Sequence, residues 1–195
     1  MSHSLHRQGK ETSLKNDFVL IALLAKSRSG QSWSEKCQNL EKLANICIRH
    51  DPDNYGQSKS VFHAVYTSMD SLEKVLVDLK RAELGISVVV TGCREEIIRM
   101  GQRIGLPLNS AHISLGIFGN KKRLPDERIL AITTMCGHHC ISPFLVEKIV
   151  NDLKAGRVKM EHAVERLSGL CTCGIFNRAR ARGLLDDILS SENTA

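Results

Sequence analysis

The chain has 195 residues and a formal net charge of +6 at pH 7, with 42% hydrophobic and 25% charged residues. These values are close to the average for a soluble globular protein, and the length suffices for one large domain or two small ones. Seven cysteines, an odd number, exclude a disulfide framework that pairs every thiol. The positive charge favours anionic partners in general, such as nucleic acid, nucleotides or acidic proteins.

The strongest candidate for an export signal is the apolar run at residues 18–25 (FVLIALLA), which follows a weakly basic start. Lys26 and Arg28 come directly after it, where small residues should form a cleavage site. The run is also too short to span a bilayer. We therefore interpret it as a buried strand, and predict a cytoplasmic protein with no membrane partner.

Polar residues without periodicity occupy positions 1–16 and predict an N-terminal arm. Strand and helix patterns then alternate, and they predict a small layered α/β domain over residues 17–120, with parallel strand pairing. An α+β arrangement also fits, because periodicity does not set strand order: a small open sheet and a ferredoxin-like sandwich both remain possible. The predicted strands lie at residues 18–25, 60–67, 86–90 and 111–118, and the predicted helices at 33–50, 71–84 and 94–104.

Helical patterns alone follow, and they predict an all-helical, cysteine-bearing subdomain over residues 121–195. Ser142 and Pro143 form an N-cap and first-turn pair, Gly156 ends the helix that they begin, and Asn177 is a potential cap for the last helix. The four predicted helices lie at residues 125–135, 143–154, 159–167 and from 178 onward.

Two cysteine pairs flank the second and third of these helices. Cys136 and Cys140 (CGHHC) precede the second, and Cys171 and Cys173 (CTCG) follow the third. The turn at residues 155–158 is short, so the two helices should fold back as an antiparallel hairpin of roughly 15–18 Å. Both pairs should then meet at the same end of the hairpin, which predicts one four-thiolate site.

Thiolate sulfurs bind zinc or hold an iron–sulfur cluster, and two short pairs on separate loops can serve either. The C-x3-C and C-x-C spacings match neither a standard zinc ribbon nor a ferredoxin run. His138 or His139 could also replace Cys140 as a ligand. The metal is therefore left open between iron–sulfur and zinc, and we favour iron–sulfur.

Three arginines, Arg178, Arg180 and Arg182, crowd the start of the last helix. Cations there oppose the helix dipole unless something anionic lies nearby. A cluster held by four thiolates carries net negative charge, so these arginines are predicted to compensate it.

Two functional classes follow from these patterns. The first is an iron–sulfur protein of redox metabolism, acting as an electron carrier or as an accessory protein for a metalloenzyme, with a protein partner. The second is a zinc-stabilised binding or regulatory module whose basic turn at residues 119–123 (GNKKR) meets nucleic acid or an acidic protein. An enzyme with Cys140 or Cys93 as nucleophile is a weaker hypothesis, because the sequence offers no convincing acid–base pair.

Overall fold

The computed structural model describes residues 6–25 and 30–192. The chain forms two compact units. The sheet unit comprises Lys15–Ala111 together with Cys173–Ile175, and the helical unit comprises Met1–Leu14, His112–Thr172 and Phe176–Ala195. The predicted arm and the predicted helical subdomain extend into residues 1–5 and 193–195, which lie outside the described residues.

The helices and strands follow in chain order. They are α1 (Glu11–Leu14), β1 (Phe18–Leu23), α2 (Trp33–Arg49), β2 (Asn54–Gln57), β3 (Val61–Tyr66), α3 (Met69–Ala82), β4 (Ser87–Thr91), α4 (Arg94–Arg103), a 3-10 turn (Lys121–Arg123), α5 (Glu127–Thr133), α6 (Pro143–Lys154), α7 (Met160–Ser168) and α8 (Arg178–Glu192). None of the described helices is both long enough and apolar enough to cross a membrane.

The sheet unit contains four strands in the order β2-β3-β1-β4, and every neighbouring pair is antiparallel. The mixed α/β class is confirmed, and the connectivity β1-α2-β2-β3-α3-β4 in this order is that of a ferredoxin-like sandwich. The predicted parallel pairing is wrong. Helix α2 connects β1 to β2, and α3 connects β3 to β4; in both cases the two connected strands lie two places apart in the sheet. An antiparallel strand lies between them, β3 in the first case and β1 in the second.

The core of the sheet unit lies between one face of the sheet and its helices. Alternate residues of β1, Phe18, Leu20 and Ala22, face the same core as Leu40 of α2 and Leu72 of α3. Each of these five side chains is almost fully buried, with at most 1% exposed. The period of two along the strand and of three to four along the helices produces this layer, as hydrophobic patterning predicts.

The strand predicted at residues 111–118 is not present, and a short strand absent from the prediction, β2, takes part in the sheet. Ile113, Leu115 and Phe118 are 61%, 81% and 77% exposed. The backbone at Gly116 has a φ of 87°, which interrupts the extended run. Alternating hydrophobicity is a local signal, whereas a strand also needs a neighbour that accepts its hydrogen bonds.

Helices α5 to α8 make the C-terminal part helical, as predicted. Pro143 occupies the first turn of α6, the left-handed Gly156 (φ 66°) follows its end, and the Asn177 side chain caps α8 by accepting a hydrogen bond from the Arg180 N–H at 2.8 Å. The local sequence signals therefore placed both ends of α6 and the start of α8 correctly. The helix predicted at residues 125–135 is shorter, since α5 spans Glu127–Thr133 with Asp126 as its N-cap.

The described part of the N-terminal arm is bound within the helical unit. The backbone N–H of Gln8 donates to the Thr134 hydroxyl at 2.9 Å. The Arg180 guanidinium, on a residue that is only 6% exposed, donates to the Gln8 carbonyl at 2.6 Å and to the Ser13 hydroxyl at 2.9 Å. Charge-assisted hydrogen bonds from a buried guanidinium are strong, so Arg180 holds the arm in place.

Candidate metal centre

The loop after α5 folds tightly around Cys136, whose residue is fully buried. The His139 N–H donates to the Cys136 carbonyl at 3.0 Å, and His139 itself adopts a left-handed φ of 54°. This turn carries Cys140 back towards Cys136. The backbone N–H groups of His138 and Cys140 also donate hydrogen bonds to the Cys136 sulfur, a pattern that favours negative charge on that sulfur.

The loop after α7 brings Cys171 to the same place. The N–H groups of Leu170 and Cys171 donate to the carbonyls of Leu167 and Ser168, which turns the chain at the end of α7. The Cys171 thiol lies in hydrogen-bonding contact with the Cys136 thiol. Because α6 and α7 are joined by a short turn, the start of one and the end of the other share an end, as the hairpin argument required.

Two pairwise contacts therefore link thiols from two separate loops in the helical unit, one between Cys136 and Cys171 and one between Cys136 and Cys140. Cys136 is central, since its side chain is in hydrogen-bonding contact with both Cys171 and Cys140. The three cysteines differ in exposure: Cys136 and Cys171 are buried, whereas Cys140 is exposed. The cluster thus has two sheltered thiols and one that reaches solvent.

The electrostatics of the cluster raise the pKa of two of its thiols, those of Cys136 and Cys140. The pKa of Cys136 is raised above its ordinary value, first by the hydrogen bond with Cys171 and then by burial, while the two backbone N–H groups oppose the shift. Burial and the neighbouring Cys136 raise the pKa of Cys140. Packed sulfurs disfavour each other's ionisation, and a bound cation would reverse that preference.

The fourth predicted ligand, Cys173, belongs to the sheet unit and is half-buried. Its carbonyl oxygen packs so closely against β2 that a Cβ on Gly56 would lie 2.6 Å from it. His138 and His139, the predicted substitute ligands, are both exposed in the loop beside Cys140. Within residues 6–25 and 30–192, no group of three or more histidine, cysteine or acidic side chains is arranged to hold a metal ion.

The remaining cysteines lie in the sheet unit, and the structure gives them other surroundings. Cys47 is fully buried in the core beside Tyr66, and burial raises the pKa of its thiol to about 12. Cys37 and Cys93 are half-buried. Cys93 precedes α4 without capping it through its side chain.

The three arginines near the start of α8 have different environments. Arg180 is the buried clamp of the N-terminal arm. Arg182 forms an ion pair with Glu161 at 3.1 Å. Arg178 is exposed and lines, with Arg182 and Glu165, a groove of about 480 Å³ between α7 and α8. The groove carries charges of both signs, so it does not select an anionic ligand.

One cation near the cysteine loop was not predicted from the sequence. Arg7, in the arm, donates from Nη2 to the carbonyl of Met135 at 3.3 Å. That carbonyl belongs to the peptide bond that Met135 makes with Cys136, so a positive charge lies next to the backbone of the loop. No sequence signal could have found it, because the arm has no periodicity and its position depends on a tertiary contact 128 residues away.

Comparison with protein-family models, with curated proteins and with solved structures finds no match to this chain.

Proposed function

We propose that the helical unit binds a metal through Cys136, Cys140 and Cys171, as an iron–sulfur cluster or as zinc, and that the protein acts in redox metabolism or assists a metalloenzyme. The observation that supports this proposal is that the Cys136 thiol contacts both the Cys171 thiol and the Cys140 thiol, which come from two loops. Seven free thiols suit a reducing compartment, and we place the protein in the cytoplasm.

The chemistry of the cluster supports this function. Thiolate sulfurs are preferred ligands of zinc and of iron–sulfur clusters. Hydrogen bonds from backbone N–H groups to a ligand sulfur, as at Cys136, tune such a site. A fourth ligand must complete it, and the sequence offers His138, His139 and Cys173 for that position.

Iron–sulfur remains our preference over zinc because of charge. A cluster with thiolate ligands is anionic, and the guanidinium of Arg7 lies beside the peptide bond that precedes Cys136. Positive charge and hydrogen bonding near the sulfurs stabilise the anionic cluster and set its potential.

Elemental analysis and a visible spectrum of anaerobically purified protein test the proposal. We expect iron and acid-labile sulfide in proportion to protein, with a brown colour that bleaches on reduction. Zinc in equimolar amount without colour would support the same thiol site with the other metal. Protein that contains neither metal, and that takes up neither zinc nor a reconstituted cluster, would disprove the function.

A second candidate function, binding to nucleic acid by a zinc-stabilised module, is favoured by the basic turn. Lys121, Lys122 and Arg123 are all exposed, and within the described residues none of them forms an ion pair. Phe118, 77% exposed, offers a stacking surface for a base close to them. An acidic protein could use the same charges.

Replacing Lys121, Lys122 and Arg123 together with glutamine is expected to weaken nucleic-acid binding and to reduce its dependence on salt. Each lost phosphate contact should make the plot of log K against log salt concentration less steep by about 0.9. Fluorescence anisotropy with a labelled duplex and a labelled single strand measures both effects. Lys148→Gln, at an exposed lysine paired with Asp152 at 3.0 Å, is the matched control. An unchanged salt dependence in the triple variant would exclude the basic turn as the binding surface.

A further inference from the structure

One of the three clustered thiols is exposed and two are buried, a difference that the metal site alone does not explain. Cys140 is exposed, and its side chain contacts that of Cys136, which is fully buried. Cys136 in turn contacts Cys171, which is 6% exposed. An oxidant in solution can therefore reach Cys140. The thiol that can react with an oxidised Cys140 is that of Cys136, which is buried next to it.

We propose that Cys140 is a site of oxidation by hydroperoxides and that Cys136 resolves the oxidised Cys140 as an intramolecular disulfide. This inference deepens the proposed function, and rests on it only for its consequence, the release of the metal. Hydroperoxides are the class of oxidant that converts an accessible thiol to a sulfenic acid.

The reaction has two steps. The Cys140 thiol first gives up its proton to solvent, and the thiolate sulfur attacks the terminal oxygen of the hydroperoxide. The O–O bond breaks, the other oxygen takes up a proton and leaves as an alcohol (water, for hydrogen peroxide), and Cys140 becomes a sulfenic acid. The Cys136 sulfur then attacks the Cys140 sulfur, the S–O bond breaks, and water leaves with the proton of the Cys136 thiol. Two cysteine sulfurs are oxidised by two electrons in total, and the peroxide oxygen is reduced.

The arrangement of the loop suits the second step. The turn closed by the His139 N–H and the Cys136 carbonyl holds the two cysteines of CGHHC together, and their side chains are already in contact. A resolving thiol next to the oxidised one is the usual partner of a redox-sensitive cysteine. The disulfide occupies two of the three clustered sulfurs, so a bound metal and the disulfide exclude each other.

The test uses the full chain, stripped of metal with a chelator and treated with hydrogen peroxide. Peptide mapping by mass spectrometry should find a disulfide that joins Cys136 to Cys140, with the loss of two hydrogen atoms. Cys136→Ser should end instead at a sulfenic acid on Cys140 that dimedone traps. Cys140→Ser, at an exposed position where folding is little affected, should yield no disulfide at Cys136. The Cys37→Ser control should behave as the unaltered protein does.

The outcomes separate this inference from the proposed function. If the disulfide forms in protein that never binds a metal, the inference holds and the proposed metal-binding function is disproved. Metal-binding protein in which peroxide produces a disulfide elsewhere, or sulfinic acid on Cys140 without any disulfide, overturns the inference alone. A disulfide at Cys136 that survives in Cys140→Ser at the original yield also overturns it.

Discussion

We expect Cys136→Ser to weaken metal binding by on the order of 100-fold. Structural zinc sites contribute apparent binding free energies of roughly 10–16 kcal/mol, which is about 3 kcal/mol for each of four ligands, and 1.4 kcal/mol corresponds to a tenfold change in affinity. Serine keeps the volume nearly constant but is a poor ligand for zinc or iron. Cys136 is the thiol in contact with both of the others, so its loss removes the centre of the site. Competition with a chromophoric zinc chelator measures the change, and iron and sulfide analysis follows a cluster.

Cys47→Ser is the matched control for Cys136→Ser. Both residues are fully buried, but Cys47 lies in the core of the sheet unit beside Tyr66. We expect Cys47→Ser to lower stability while metal stoichiometry stays unchanged. A protein that loses its metal with Cys47→Ser and keeps it with Cys136→Ser would contradict the assigned site. Variants of Cys173, His138 and His139 then identify the fourth ligand, which is the residue whose substitution lowers the affinity for the metal.

Gly174→Ala is expected to lower the free energy of unfolding by roughly 2–5 kcal/mol. Gly174 has a φ of +71°, a left-handed conformation that costs a residue with a Cβ about 1–2 kcal/mol. The added Cβ would also overlap the carbonyl group of Tyr55 and the backbone nitrogen of Gly56, and forcing atoms into a packed site typically costs about 1–3 kcal/mol. Rigid backbone cannot rotate away as a flexible side chain can. Chemical denaturation followed by circular dichroism measures the change.

The matched control is Gly183→Ala, within α8. A Cβ on Gly183 would meet no atom within 4 Å, and alanine is favoured over glycine inside a helix by about 0.5–1 kcal/mol. The same substitution should therefore stabilise at one position and destabilise at the other. A Gly174→Ala protein as stable as the unaltered one would mean that residues 173–175 do not pack tightly against β2.

The local features of the fold were largely predictable from the sequence. Three residues placed the ends of the C-terminal helices: Pro143 in the first turn of α6, the left-handed Gly156 just after α6, and Asn177, whose side chain caps α8. Each of them meets the hydrogen-bonding or backbone requirements of a helix end locally. Ser142 occupies the N-cap position of α6 without a side-chain hydrogen bond. The prediction of a strand at residues 111–118 was wrong for the complementary reason. Its alternating pattern is local, but a strand exists only where a partner strand pairs with it.

The candidate site was predictable only in part. The contact between the loops of Cys136 and Cys171 follows from a short turn and two helices of similar length, which is a matter of chain geometry. The placement of Cys173 against β2 and of Arg7 beside the Met135 carbonyl does not follow from any local pattern. These contacts join distant parts of the chain, and no short-range signal encodes them.

The sequence by itself therefore determined which segments form helices, which residues end them and which thiols sit in loops, because each of these depends on neighbours within a few positions. Only the tertiary structure decided that the sheet is antiparallel, that Arg180 clamps the N-terminal arm and that Cys140 is the exposed member of its cluster. Strand order, burial and long-range hydrogen bonds are set by the free energy of packing the whole chain. That free energy depends on many residues together and cannot be inferred from any single position.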